Sequence, residues 1–250
     1  MKQTNPPSRR ANIKEIEKLF ELGAHLGHKK SRLHPRARKN VYTILNGTSV
    51  IDLTKTVDQL DIAKKYLSDV AKNGKTVLVV GTKKVVSAYL KKYCVENKVP
   101  YITSKWLPGL LTNFESLMNN VKKLKNLKND RDTGAWDALV KHERTKLSKE
   151  ISKLEKLYAG LESTTVRPDM MIIVDPKKEK NALKEAKAYK IPVVALVDTN
   201  ADPTEIDYPV VANDDTSQVV EYIMHQLLEA YAKTPKKEIK VEPKVEPKVN

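Results

Sequence analysis

Sulfhydryl chemistry is almost absent from this 250-residue chain, whose single cysteine is Cys94. No intramolecular disulfide can form, and the usage fits a reducing compartment. Cys94 lies between Tyr93 and Val95 in a helical pattern and reads as a small core residue. Long apolar runs are missing too. Nothing approaches the ~20 residues a membrane-crossing helix needs, and Met1 to Arg10 holds no apolar stretch of signal-peptide type. A third lack concerns glycine spacing. Gly81-Thr82-Lys83-Lys84 follows a β-type run, yet neither the dinucleotide fingerprint nor the GxxxxGK[ST] phosphate loop occurs. No serine stands in a nucleophile elbow. Catalysis is short of its usual chemistry, so no enzyme, no cofactor and no metal are expected.

Negative charge is also in short supply: 31 Asp and Glu against 46 Lys and Arg, a formal net charge of +15. A surplus of this size favours a polyanionic partner, because each cation placed near a phosphate releases condensed counterions. The surplus is unevenly spread. Residues 1–39 hold eleven bases and three acids (11 − 3 = +8), whereas residues 169–215 hold six bases and ten acids (6 − 10 = −4). One end should face phosphate and the other should not. A membrane-surface role would need a basic amphipathic helix with a broad apolar face; the basic run has only Leu33 as a large apolar residue.

Strand and helix patterns alternate through most of the chain. Ser49–Leu53 reads as a short strand, followed by a helix that Thr54 caps and Asn73-Gly74 stops. Thr76–Val80 is a β-branched run of the kind buried on both faces, leading through Gly81-Thr82 into a helix ending at Glu96, then a short strand at Val99–Ile102. Strands at Met170–Val174, Pro192–Val197 and Tyr208–Val211 alternate with helices at Lys178–Tyr189 and Thr216–Tyr231. Such alternation implies a parallel sheet. Between the two halves, Leu117, Val121 and Leu124, and then Leu147, Ile151, Leu154, Tyr158 and Leu161, follow heptad spacing around a polar turn at Asp130–Gly134. The expected architecture is an α/β parallel sheet flanked by helices, with an inserted, protruding helical hairpin. Its divisions are a basic N-terminal segment with a short helix (1–40), a discontinuous α/β domain (41–111 and 164–231), the hairpin (112–163) and a disordered tail (232–250), where Val241-Glu242-Pro243-Lys244 recurs as Val245-Glu246-Pro247-Lys248.

The strongest functional signal is Lys29-Lys30-Ser31-Arg32-Leu33-His34-Pro35-Arg36-Ala37-Arg38-Lys39, with six Lys or Arg and one His in eleven positions and no acid to dilute them. With Pro35 keeping it extended, it should act as a phosphate clamp. Lys83 and Lys84, at a helix start beyond a strand end, could hold a further phosphate. Lys105 beside Trp106 offers a cation and a ring for stacking at the hairpin base, or an anchor for the hairpin; Asn113 opens the hairpin. His25, His28 and His34 lie close in sequence but lack further zinc ligands. Asp198, Asp202, Asp207, Asp214 and Asp215 could hold a hard cation, but turn and cap chemistry accounts for them better.

Several ordered blocks resemble the family of small-subunit ribosomal protein S-two in its bacterial form. They are Leu19–His28, Ile51–Thr56, Val80–Lys83, Lys105–Asn113, Pro168-Asp169 with Val174–Pro176, Ile191–Pro203 and Asn213–Asp215. Together they cover roughly residues 10–230. Departures include Pro108 and Ala212 where the family usually has Gly, and Lys105 where it usually has Arg, losing the planar fork. The resemblance implies a Rossmann-like or flavodoxin-like sheet with a coiled-coil hairpin and no enzymatic activity. It further implies a cytoplasmic, ribosome-bound, non-oligomeric protein that contacts 16S rRNA and neighbouring small-subunit proteins, and that supports docking of ribosomal protein S-one. The residues carried forward as rRNA-binding are Lys29, Lys30, Arg32, Arg36, Arg38, Lys39, Lys83, Lys84, Lys105, Trp106 and Asn113.

Overall fold

The structure, a computed structural model, describes residues 9–235. Residues 236–250, which carry the repeat expected to be disordered, lie outside the described residues, as do residues 1–8. Ala232, placed in that tail by the sequence reading, is the last residue of a helix.

Two sheets form. The larger has five parallel strands in the order β5 (Tyr101–Ile102), β4 (Val77–Val80), β6 (Met170–Val174), β7 (Val193–Val197) and β8 (Tyr208–Val211). Every residue of β4, β6 and β7 is buried, as continuous Val, Ile, Leu and Met runs require. Strand side chains alternate between faces, and two cores result. Val77, Val79, Met170, Ile172, Val174, Val194 and Leu196 pack with helices α1 (Arg9–Glu21), α2 (Leu53–Lys72), α3 (Lys84–Glu96) and α7 (Ser217–Ala232). Leu78, Val80, Met171, Ile173, Val193, Ala195 and Val197 pack with side chains from α4 (Phe114–Asp132), α5 (Lys141–Tyr158) and α6 (Lys180–Ala188). Strands β7 and β8 are parallel yet joined without an α-helix, by residues 198–207 and a 3-10 turn at Pro203–Glu205.

Helices α4 and α5 pack on each other and are cross-linked by Lys123 to Glu150 at 2.5 Å and Lys128 to Glu155 at 3.0 Å. Burial along α4 extends beyond the heptad positions, toward the sheet. Phe114 and Met118 are buried with Val121, Leu124, Ile151 and Tyr158, while Leu117, Leu147 and Leu154 are only half-buried.

The smaller sheet is antiparallel, in the order β1 (Leu26–Lys29), β3 (Thr48–Ile51), β2 (Val41–Leu45). The sequence reading found only its central strand and extended that strand to Leu53. Leu53 instead opens α2, and Asp52, not Thr54, is the cap: its carboxylate accepts from the Thr54 amide at 3.1 Å and from the Thr54 hydroxyl at 2.6 Å. An anionic cap also favours the positive helix end, which a hydroxyl does not. Asn73 and Gly74 end α2 as expected, with Gly74 at φ +65°.

Candidate nucleic-acid interface

The carboxyl ends of the parallel strands are where an open α/β sheet binds ligands. Here that position is filled from within. The His28 amide donates to Thr199 Oγ1 at 2.9 Å, and the His34 amide donates to the Thr199 carbonyl at 2.8 Å. The Asn213 amide donates to the Ala24 carbonyl at 3.1 Å. Gly27 passes so close that a Cβ there would lie 2.7 Å from the Thr199 methyl, so only glycine fits. Strand β1 therefore lies across the crevice, leaving an open cleft of about 360 Å³ bordered by His28, Lys29, Arg32, Asp198, Asn213 and Asp215.

Beneath β1 the strand ends assemble an acidic hub. Lys83 Nζ donates to Asp214 Oδ1 at 2.6 Å, to the Asp214 carbonyl at 2.9 Å and to Asp215 Oδ1 at 2.8 Å, with Asp175 at 3.5 Å. All three ammonium protons are engaged, and these carboxylates hold the lysine charged far above its ordinary range. Asp214 is buried. That burial, with the facing charge of Asp175, pushes its carboxyl up to about 7 despite the Lys83 bond. Asp215, mostly exposed, is instead held low by the same ammonium. Asp198 Oδ2 bonds His28 Nδ1 at 2.9 Å, and Asp198 Oδ1 accepts from the Thr199 hydroxyl at 2.9 Å. His28 Nε2 lies 3.8 Å from Asp215 Oδ2, so His28, Asp198 and Asp215 form a knot whose ligand-type atoms fall within 4.8 Å of one another.

The remaining histidines diverge. His25 stacks on Phe20 with centroids 4.2 Å apart, and His34 Nδ1 accepts from the Arg36 amide. The turn-and-cap reading holds for Asp202, which caps the 3-10 turn through Thr204; Asp207 instead accepts from the Val193 amide of β7 at 2.9 Å. Asp214 departs from that reading too, because its carboxylate faces Lys83 rather than the start of α7.

The basic run does not stay extended, as the sequence reading supposed. It continues from β1 into 3-10 turns at Lys30–Arg32 and Pro35–Asn40, with Pro35 opening the second, since its fixed φ suits a first helical position. Ala37 and Asn40 turn inward, and Asn40 Oδ1 accepts from Gln59, whose own Oε1 accepts from the Val211 amide. Arg36 is tied down by Asp202 at 2.8 Å. Lys29, Lys30, Arg32, Arg38 and Lys39 are exposed, and among the described residues none forms an ion pair within 4 Å. The result is a folded basic surface on an acidic floor.

Of the outlying candidates, Lys84, Lys105 and Asn113 are exposed. Lys83 and Trp106 are not available as the sequence reading had them. Lys83 is the counter-ion of the hub. Trp106 is 5% exposed and donates through Nε1 to Glu185 Oε1 at 3.0 Å, so it anchors its loop and offers no face to a base. Glu185 also accepts from the Gly109 and Leu111 amides, each at 2.9 Å, a role no local pattern announced. Cys94 is fully buried, as expected, and burial pushes its thiol up to about 12.

A parallel sheet whose ligand crevice is spanned by its own N-terminal strand has the form of a scaffold rather than of an enzyme site. Comparison with known proteins points the same way. A sequence model of the family described as Ribosomal protein S2 matches residues 19–234. The protein called small ribosomal subunit protein uS2 in Coprothermobacter proteolyticus is 38% identical over 215 residues, covering 86% of this chain and 80% of its own. Its counterparts in Dehalococcoides mccartyi reach 42% over 219 residues, 88% of each chain. The chain belongs to the ribosomal protein S2 family, whose members are structural and non-enzymatic.

Proposed function

We propose that this protein is a structural constituent of the small ribosomal subunit that binds 16S rRNA through the outer face of its N-terminal segment. One observation carries the reading: Lys29, Lys30, Arg32, Arg38 and Lys39 are exposed and, among the described residues, form no ion pair within 4 Å, at the end of β1 and on short turns that hydrogen bonds tie to the sheet. Charges fixed in this way meet phosphate with little ordering entropy left to lose. Lys84, Lys105 and Asn113 are exposed as well and are further candidate contact positions. Lys83 and Trp106 serve the fold, one holding the acidic hub and the other holding the loop before α4. The relatives' name supports the assembly into the small subunit. Contact with neighbouring subunit proteins, docking of ribosomal protein S-one and a non-oligomeric, cytoplasmic state belong to the same reading on the strength of the family resemblance.

The test is incorporation. A variant with Lys29, Lys30, Arg32, Arg38 and Lys39 replaced by Ala should melt as the parent does and be depleted from small subunits in sucrose gradients. Normal incorporation of the folded variant would remove the basic surface from the proposal.

A further inference from the structure

The sequence reading passed over Tyr42, the most exposed large apolar side chain among the described residues at 78%. It lies on β2, an edge strand of the small sheet. Pairing runs Val41 with Ile51 and then Thr43 with Val50, so Tyr42 is the extra residue of a β-bulge. Bulges re-aim a side chain out of the regular pleat. Among the described residues the Tyr42 ring stacks on no other ring and its hydroxyl bonds nothing.

The exposed charges that lead into it along the chain are basic. Arg38 and Lys39 precede it on the 3-10 turn, both exposed and, among the described residues, without ion pairs within 4 Å. The Lys30 amide donates to the Gly47 carbonyl at 2.8 Å, bringing a third base to the tip of the β2–β3 hairpin. Asp52, the acid at the foot of the hairpin, is engaged with Thr54 and Lys55. A lone exposed tyrosine needs no explanation. One lifted by a bulge and set among unpaired cations has the form of a stacking platform, a ring for the base and ammonium or guanidinium groups for the flanking phosphates. An apolar protein partner would leave those charges to be desolvated without counter-ions.

We propose that Tyr42 stacks on an unpaired base of the bound RNA, with Arg38 and Lys39 on the adjoining phosphates. The proposal rests on the rRNA-binding reading above. The test uses the full chain and a 16S rRNA transcript. Tyr42→Phe should bind within about twofold of the parent, whereas Tyr42→Ala and Tyr42→Leu should weaken binding about 5- to 150-fold, the span of one base–aromatic stack. Tyr42→Trp should lose fluorescence as RNA is added, over a steady background from Trp106 and Trp136, which are 5% and 7% exposed. Thermal melts should agree across the set, because the replaced side chain packs on so little. Parent-like binding by Tyr42→Ala, or a Leu variant as good as Phe, overturns the stacking contact and leaves the rRNA reading standing. Failure of the parent itself to bind the transcript overturns both.

Discussion

Lys83 and Glu185 show how much a single side chain can hold. Lys83 is one ammonium among four carboxylates, those of Asp175, Asp198, Asp214 and Asp215, three of which it touches. Asp214, with its carboxyl raised to about 7, takes up a proton on folding, so its ionisation makes stability fall as pH rises from about 4 to about 7. Removing the lysine should therefore hurt most where Asp214 is ionised. Lys83→Met is expected to cost about 3 kcal/mol near pH 8 and clearly less near pH 5, read from urea midpoints at the two values; equal losses would contradict the hub. Glu185 gathers three donors from the loop before α4. Glu185→Ala should cost about 2–4 kcal/mol. Glu185→Gln should fall between, because its amide can accept from Trp106 and Gly109 but turns a donor toward the Leu111 amide. Neither role was legible in the sequence. The partners of Lys83 lie 131 and 132 residues away and the Trp106 partner lies 79 away, so no local spacing records them.

At the level of elements, legibility followed burial. Strands β6 and β8 stand where the sequence reading put them and β7 within a residue of it. Strands β6 and β7, inside the sheet, are marked by unbroken β-branched and apolar runs, whereas β8 is a half-buried edge strand marked only by its short run Tyr208–Val211. Strand β2 escaped notice. It is an edge strand in which Tyr42, Thr43 and Leu45 are exposed, it directly follows the basic run, and its alternation is broken by the bulge. The basic run departs from expectation because Pro35, taken to keep it extended, opens a 3-10 turn, and inward anchors such as Ala37 and Asn40 look like any other residues until their pockets are known. The seam of α4 and α5 was only partly visible, since Phe114 and Met118 answer to the sheet side rather than to the heptad. One junction there is tight enough to test. After α5, Gly160 lies against β5, and a Cβ would sit 2.0 Å from the Tyr101 carbonyl oxygen. Backbone cannot give way as a side chain can, so Gly160→Ala should force the turn off the sheet edge at a cost of about 1–3 kcal/mol, measured by thermal or urea unfolding. A parent-like stability would mean the turn has slack.

For the molecule as a whole, the division of charge foreseen from composition acquires a geometry. The acidic stretch is not a second surface at a distance from the basic one; it lies partly underneath it, bonded to it through His28, His34 and Arg36. Those contacts use the carboxylates inward and leave the cations outward. Binding should then be governed by the basic face with little opposing field from the floor. If about four of the exposed cations meet phosphates, affinity for 16S rRNA should drop by roughly 100-fold between about 50 and 200 mM salt, following a slope of about 0.7–0.9 per contact. A filter-binding titration across that range would show it, and a flat response would speak against phosphate contact.

The stitching of β1 to Thr199 and Asn213 also sets an order of events. Besides the pairing of β1 with β3, Ala24, His28 and His34 find hydrogen-bonding partners more than 160 positions further along. On a chain made from its N-terminus, the cationic strand must wait through most of synthesis for the loops that seat it, and loop closures of that span are slow. The bonds that seat this surface can form only once Thr199 and Asn213 have been made. A nascent chain halted before Thr199 would carry the positive charge without its shape, and on the rRNA-binding proposal above its accurate docking waits for a nearly complete fold.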